Sequence, residues 1–239
     1  MFHSSTDAAT LGSQVMLSNQ LLPVLMAATL LTGFQPAFAT DTRVSTGTDS
    51  PEIIAKERNK PTIRGGIVYR AYCVLCHGER ADGQARASKL YGTINLNPFN
   101  GRDYIEKIIR YGGKAVGRSE IMPTWQEELS EEQIIDVVEY VAIVNNQVSR
   151  GEVVYKTNCI LCHGVKADGK GRASVLFNPP PADLTRSDKN DEYKKMIITL
   201  GGKAMGRSEV MPIWGEQITE QQIDDVVAYL RTVLVATAQ

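Results

Sequence analysis

The sequence predicts an all-α fold built from two tandem units. Three observations predict it: most of the chain is one unit written twice, each copy places apolar residues at helical spacing, and neither copy holds a strand-rich stretch. The 239 residues carry a formal net charge of −1, with 43% hydrophobic and 22% charged side chains. That ordinary composition rules out disorder, collagen-like repeats and a polytopic membrane protein. The near-neutral balance also argues against a nucleic-acid partner, because phosphate binding needs concentrated basic charge.

The amino-terminal segment stands apart. No charged side chain occurs from Ala8 to Thr40, and Leu21 to Phe34 is almost wholly apolar before the small residues Ala37 and Ala39. An apolar core of this length ahead of small residues predicts a secretory signal over 1–39, cleaved after Ala39. It is short for a bilayer span, which needs about 20 apolar residues. The usual basic start is missing, since the first basic side chain is Arg43, so Met16 is the expected true start. An uncleaved anchor is the alternative. Residues 40–62, rich in Thr, Ser and charge, are expected to be a flexible linker. The two units then occupy 63–147 and 148–239.

The repeat is explicit. Arg64-Gly65-Gly66-Ile67-Val68-Tyr69 returns as Arg150-Gly151-Glu152-Val153-Val154-Tyr155, and Cys73-Val74-Leu75-Cys76-His77-Gly78 as Cys159-Ile160-Leu161-Cys162-His163-Gly164. Further on, Gly112-Gly113-Lys114-Ala115 matches Gly201-Gly202-Lys203-Ala204, and Met122-Pro123-Thr124-Trp125 matches Met211-Pro212-Ile213-Trp214. The register slips by three residues between Ser174 and Leu200, where the second copy is expected to carry a longer loop.

Within each copy the helices can be placed. Gly65 and Tyr69 (Gly151 and Tyr155) lie four apart and so share one face of a first helix that ends at the cysteines, glycine allowing close approach and tyrosine packing. A middle helix is expected from Tyr104 to Tyr111, and again from Tyr193 to Leu200, each stopped by a Gly-Gly pair. Ser130-Glu131-Glu132-Gln133 and Thr219-Glu220-Gln221-Gln222 have capping-box spacing. Ile134, Val137, Val138 and Val141, like Ile223, Val226, Val227 and Leu230, then give the last helix its apolar face. Only Asn145 to Ser149 joins the copies, which must therefore lie side by side.

The four cysteines and two of the three histidines form the chemistry. Cys-x-x-Cys-His at Cys73/Cys76/His77 and at Cys159/Cys162/His163 uses every cysteine, with the spacing of c-type haem attachment. Two thiols on one turn can each add to a vinyl group of one haem, and the histidine that follows lies under the iron. A zinc site would need four ligands per unit, and each unit offers two Cys and one His. A thioredoxin-like pair expects an α/β pattern, and structural disulfides do not explain a histidine after each pair.

The opposite iron ligand follows by elimination. Met122 is the only methionine between residues 40 and 149, and His77 the only histidine. In the second copy Met196 faces Lys107 and Met205 faces Val116, so only Met211 returns the Met122 position. A core-filling role is the usual alternative for methionine. His77 and Met122 are thus the expected ligands of one iron, His163 and Met211 of the other.

Cys-x-x-Cys-His followed by a Met-Pro loop and a last amphipathic helix resembles the class I c-type cytochromes. The tandem form is similar to their diheme members, including diheme subunits of respiratory oxidases. The resemblance runs from residue 64 to about 235. It implies an all-helical cytochrome c domain wrapped around each of two covalently bound haem c groups, with first and last helices crossing. It also implies a proline carbonyl accepting the proton of the axial histidine's other ring nitrogen. Asn178-Pro179-Pro180-Pro181-Ala182-Asp183-Leu184 fits that pattern, and Gly92-Thr93-Ile94-Asn95-Leu96 in the first copy departs from it. Lys114/Lys203, Arg118/Arg207 and Arg86/Arg172 are candidates to bind haem propionates, and equally to be solvated loop charges. Tyr69/Tyr155 and Trp125/Trp214 read as pocket packing rather than electron relays.

Iron closed by His on one side and Met on the other leaves no position for a substrate. The expected function is therefore one-electron transfer, not catalysis, between extracytoplasmic (periplasmic) redox donor and acceptor proteins. A dedicated redox subunit of a membrane oxidase or periplasmic dehydrogenase is the alternative. A diheme peroxidase-type enzyme fits less well, because it needs a five-coordinate haem.

Overall fold

The computed structural model describes residues 48–92, 95–96 and 101–235, all within one compact unit. The signal, its Met16 start and residues 40–47 of the linker lie outside the described residues. No strand occurs among the described residues, and no helix there is long and apolar enough to cross a membrane. The all-α expectation is met.

The first surprise lies in the expected linker. Pro51–Arg58 is a helix, α1, and the next helix, α2, already begins at Pro61 and runs to Tyr72. The flexible-linker reading is therefore corrected over 51–62. The cause is local: Ser50 caps α1 by accepting from the Ile53 N–H, Pro51 sits where its missing N–H is harmless, and Ile54 is buried. A segment this polar reads as linker until one of its two isoleucines, Ile54, is seen to be buried.

In the first repeat, α2 leads into the short turn α3 (Val74–His77), then α4 (Ser88–Tyr91), α5 (Arg102–Tyr111) and α6 (Glu131–Val141). The second repeat runs α7 (Gln147–Asn158), α8 (Ile160–His163), α9 (Asp191–Ala204) and α10 (Glu220–Thr232). The longer loop of the second copy carries two 3-10 turns, Arg172–Leu176 and Leu184–Arg186. Both expected capping boxes are formed, at Ser130/Gln133 and Thr219/Gln222. The joint between the repeats is only 142–146, and the Arg150 guanidinium spans it by donating to the Val144 carbonyl at 2.7 Å.

First and last helices of each repeat cross tightly, α2 on α6 and α7 on α10. A Cβ on Gly65 would lie 1.9 Å from the Asp136 carbonyl oxygen, and one on Gly151 at 1.9 Å from that of Asp225. Only glycine lets these backbones approach so closely. The crossing is locked by Arg64 with Asp136 and by Arg150 with Asp225, both two-pronged pairs. Each repeat has its own core: Ile63, Val68, Tyr69, Ile134, Val137 and Val141 in the first, Val154, Tyr155, Ile160, Ile223, Val226 and Leu230 in the second. Two residues cross over. Val153 of α7 is buried in the first core, and Ile54 of α1 in the second.

Candidate haem centres

Each helix crossing aims one short turn. α2 ends as Cys73 caps it, and α3 carries Cys76 and His77; α7 ends at Cys159, and α8 carries Cys162 and His163. All four thiols are free. Burial, with the second thiol of the pair adding to it, pushes Cys73 and Cys159 up to about 12, and burial also raises Cys162. His77 is buried, and burial holds His163 below the ordinary histidine value against the opposing pull of its Ala182 contact.

The loop after each histidine is held from the helix crossing. The buried Tyr69 hydroxyl donates to the Gly78 carbonyl and that of Tyr155 to Gly164, both at 2.7 Å. This gives the two tyrosines a defined job, fixing the residue after the histidine. Burial pushes both hydroxyls far above the usual tyrosine range, so they remain donors. The loop then turns at Ala81 and Ala167, fully buried residues with positive φ of 53° and 63°. Their carbonyls accept the Leu96 and Leu184 amides at 2.7 and 2.8 Å. These strained alanines were not singled out from the sequence, although Ala81-Asp82-Gly83 and Ala167-Asp168-Gly169 recur and that recurrence was the available signal.

On the second histidine the expected backbone contact exists with a different partner. His163 Nδ1 lies 3.3 Å from the carbonyl oxygen of Ala182, not of a proline. The three prolines bring the chain to this point, and the first non-proline after them meets the ring. The matching position in the first repeat, Ile94, lies outside the described residues.

The Met-Pro loops are built alike. The Gly113 and Gly202 amides donate to the Met122 and Met211 carbonyls at 3.0 and 3.1 Å, and both methionines pack partly buried against their repeat's core. The helix before each loop stops at a glycine with positive φ, Gly112 at 76° and Gly201 at 77°. Gly201 (φ 77°, ψ 168°) is non-helical, so the regular helix stops at Leu200 as expected and a further short turn beyond the kink reaches Ala204. Four of the six candidate propionate partners make exposed contacts within their own repeat: Lys114 with Glu120 at 3.1 Å, Lys203 with Glu209 at 3.2 Å, and Arg118 and Arg207 with the Tyr104 and Tyr193 hydroxyls at 3.2 and 3.0 Å. Trp125 packs edge-on against Tyr72.

The donor set fits a covalently attached haem. Each repeat offers two free thiols and one imidazole on a single turn, with a thioether in a separate loop against the same core. The segments packed on the turns add apolar surface: α4, where Ser88 Oγ donates to the Cys76 carbonyl at 2.6 Å, carries Leu90, 77% exposed, and the turn at Arg172–Leu176 carries Leu176, 76% exposed. Each attachment turn is thus contacted by a segment that carries a large exposed leucine. Among the described residues no cluster of three His, Cys, Asp or Glu forms a classical metal cage.

Comparison with known proteins agrees. Residues 148–234 match the family model described as cytochrome c, and residues 61–141 that described as cytochrome C oxidase, cbb3-type, subunit III. The cbb3-type cytochrome c oxidase subunit CcoP of Azospirillum brasilense is 26% identical over 173 residues, 70% of this chain and 48% of that protein. The CcoP subunit of Rhodobacter capsulatus is 27% identical over 205 residues, 76% of this chain and 64% of that protein. That of Cereibacter sphaeroides is 28% identical over 194 residues, 71% and 60% respectively. The chain thus spans roughly half to two-thirds of the length of these relatives. With two matching cytochrome c-type domains, two Cys-x-x-Cys-His turns and an all-helical fold, the chain belongs to the tandem diheme class I c-type cytochromes.

Proposed function

We propose that this chain is the diheme electron-transfer subunit of a membrane oxidase complex, working on the periplasmic side of the membrane. Cys73 and Cys76 hold one haem c through thioethers, with His77 and Met122 as iron ligands; Cys159, Cys162, His163 and Met211 serve the second. The subunit role is preferred over a freely diffusing carrier because the similar proteins are named as subunits of one oxidase type, and the first repeat matches a model of that oxidase's subunit III. The observation that carries the haem assignment is the double occurrence of the thiol-thiol-imidazole turn, each time with a Met-Pro loop tied to the same core.

Bound haem supplies a reversible one-electron couple at each centre, raised by methionine ligation. The chain's own residues then decide how that couple behaves. The Ala182 carbonyl favours the His163 tautomer with its proton on Nδ1, which leaves Nε2 as the ligating atom. Tyr69 and Tyr155 hold the residue after each histidine, and the Gly113 and Gly202 amides hold each methionine backbone, so neither ligand has to move on reduction. Iron held by His on one side and Met on the other would leave no open position for a substrate, so the chemistry that fits is electron transfer.

Expression in a host that matures c-type cytochromes tests the reading directly. The purified chain should carry two covalent haems by mass, show the weak far-red band of sulfur-to-ferric-iron ligation, and bind carbon monoxide slowly. It should co-purify from its native membrane with a stoichiometric oxidase. A chain with two haems but no oxidase would return the free-carrier reading. Apoprotein would overturn the haem assignment, and rapid carbon monoxide binding at one centre of the reduced protein would overturn the His/Met ligation there.

A further inference from the structure

The segment 48–58 belongs to neither repeat, yet it grips the second one at the loop that follows His163. The Asp49 carboxylate accepts the Val165 amide at 2.6 Å, and the Asp49 amide donates to the Lys170 carbonyl at 2.9 Å. These two bonds bracket residues 165–170. The same loop closes on the attachment turn, because the Gly169 amide donates to the His163 carbonyl at 2.9 Å and the Gly171 amide to the Cys162 carbonyl at 3.2 Å. Behind Asp49, α1 lies along α7: Ile54 enters the second core, Glu57 pairs with the buried Lys156 at 3.0 Å, and the Arg58 guanidinium donates to the Thr157 carbonyl at 2.9 Å. Lys156 in turn donates to the Val165 carbonyl at 2.8 Å, so Asp49 holds the Val165 amide directly while the ammonium that Glu57 pairs with holds its carbonyl.

The first repeat shows what such a grip replaces. The residue matching Val165 is Glu79, and it is held by the second repeat, through Gln222 Nε2 at 3.1 Å and Thr219 Oγ1 at 3.5 Å. The residue inserted into the first core from outside is Val153 of α7, as Ile54 of α1 is inserted into the second. The second repeat thus contacts the first repeat's loop through the Glu79 carboxylate, and Asp49 with α1 holds the matching loop of the second repeat through its backbone.

We propose that Asp49 is a positioning residue for the second haem centre, and that α1 is the clamp that holds it in place. The clamp continues directly into α2, so the loop that sets His163 is tied to the first helix of the other repeat. The electronic properties of one haem then depend on a segment outside both cytochrome c domains. This inference rests on the proposed ligation of the second haem by His163.

The test uses the full haem-loaded chain and reads the two midpoint potentials by redox titration with optical spectra. Asp49→Ala should displace one midpoint and leave the other in place. Asp49→Asn keeps an acceptor oxygen and should restore most of the shift. Glu57→Ala with Arg58→Ala releases α1 from its far end without touching the core, and should move the same midpoint as Asp49→Ala. Titrations indistinguishable from the parent chain in both the Asp49→Ala and the double variant, or equal movement of both haems, would overturn the proposal. So would Asp49→Asn behaving like Asp49→Ala, which would assign the effect to charge. Haem content by mass, measured on the same samples, separates this outcome from failure of the underlying assignment, since an unloaded chain gives no titration to compare.

Discussion

Asp136 and Asp225 occupy the same place in the two repeats and should carry different energetic weights. Arg150 and Asp225 are 5% and 2% exposed, whereas Arg64 keeps 31% of its side-chain surface in water against Asp136 at 3%. Removing one partner of a buried pair strands the other charge, at a cost of about 3–5 kcal/mol. A half-exposed arginine recovers hydration when its partner goes. Asp225→Ala should therefore lower stability by about 3–5 kcal/mol and Asp136→Ala by about 1–2 kcal/mol, as measured by denaturant unfolding of the two variants side by side. Gly151→Ala probes the same crossing by steric means. Its Cβ would meet the Asp225 carbonyl oxygen at 1.9 Å, in backbone that cannot swing away, so α7 and α10 must separate at a cost of about 3 kcal/mol. A chain with Gly151→Ala and parental unfolding midpoint would mean the crossing is looser than these distances. The glycine-tyrosine spacing made this crossing readable in the sequence. The Arg-Asp locks were not, because their partners lie 72 and 75 residues apart and nothing local pairs them.

At the scale of single elements, sequence reading succeeds where the structure is local and fails where it depends on a distant surface. The capping boxes of α6 and α10 are sentences of four residues, and both form as read. Ser130→Ala removes one of them at an exposed site and should cost about 1 kcal/mol, visible as a lowered unfolding midpoint with unchanged haem spectra. Thr219→Ala should cost at least as much, because the same hydroxyl also faces Glu79. The helix α1 escaped reading for the opposite reason. Eight residues with four charges and one buried isoleucine cannot stand as a helix alone, and its stability comes from α7, a surface nearly a hundred positions later. The Ala182 contact to His163 escaped in a milder way: the proline run signalled a carbonyl near the ring, while the chain's exact path decided which one.

Taken whole, the molecule is two similar halves with unequal support, and the repeat that exposed its organisation also conceals this inequality. Two matched sets of thiols, imidazole and thioether were readable because each set is short and written twice. How the halves lean on each other was not, since the joint is brief and the contacts that matter, Val153 in the first core and Ile54 in the second, are single residues whose partners lie in another part of the chain. Duplication nevertheless makes the ligand assignment separable, because each half should report its own iron. Met122→Leu removes the only thioether available to the first centre while leaving Met211 untouched. It should abolish about half of the far-red absorbance, given one such ligand per haem, open one iron to rapid carbon monoxide binding and lower one midpoint potential. Met211→Leu should do the same to the other haem, and the two variants should move different waves of the titration. If Met211→Leu leaves the band intact, Met196 or Met205 is the ligand instead. That result would break the equivalence of the two Met-Pro loops on which the paired assignment stands.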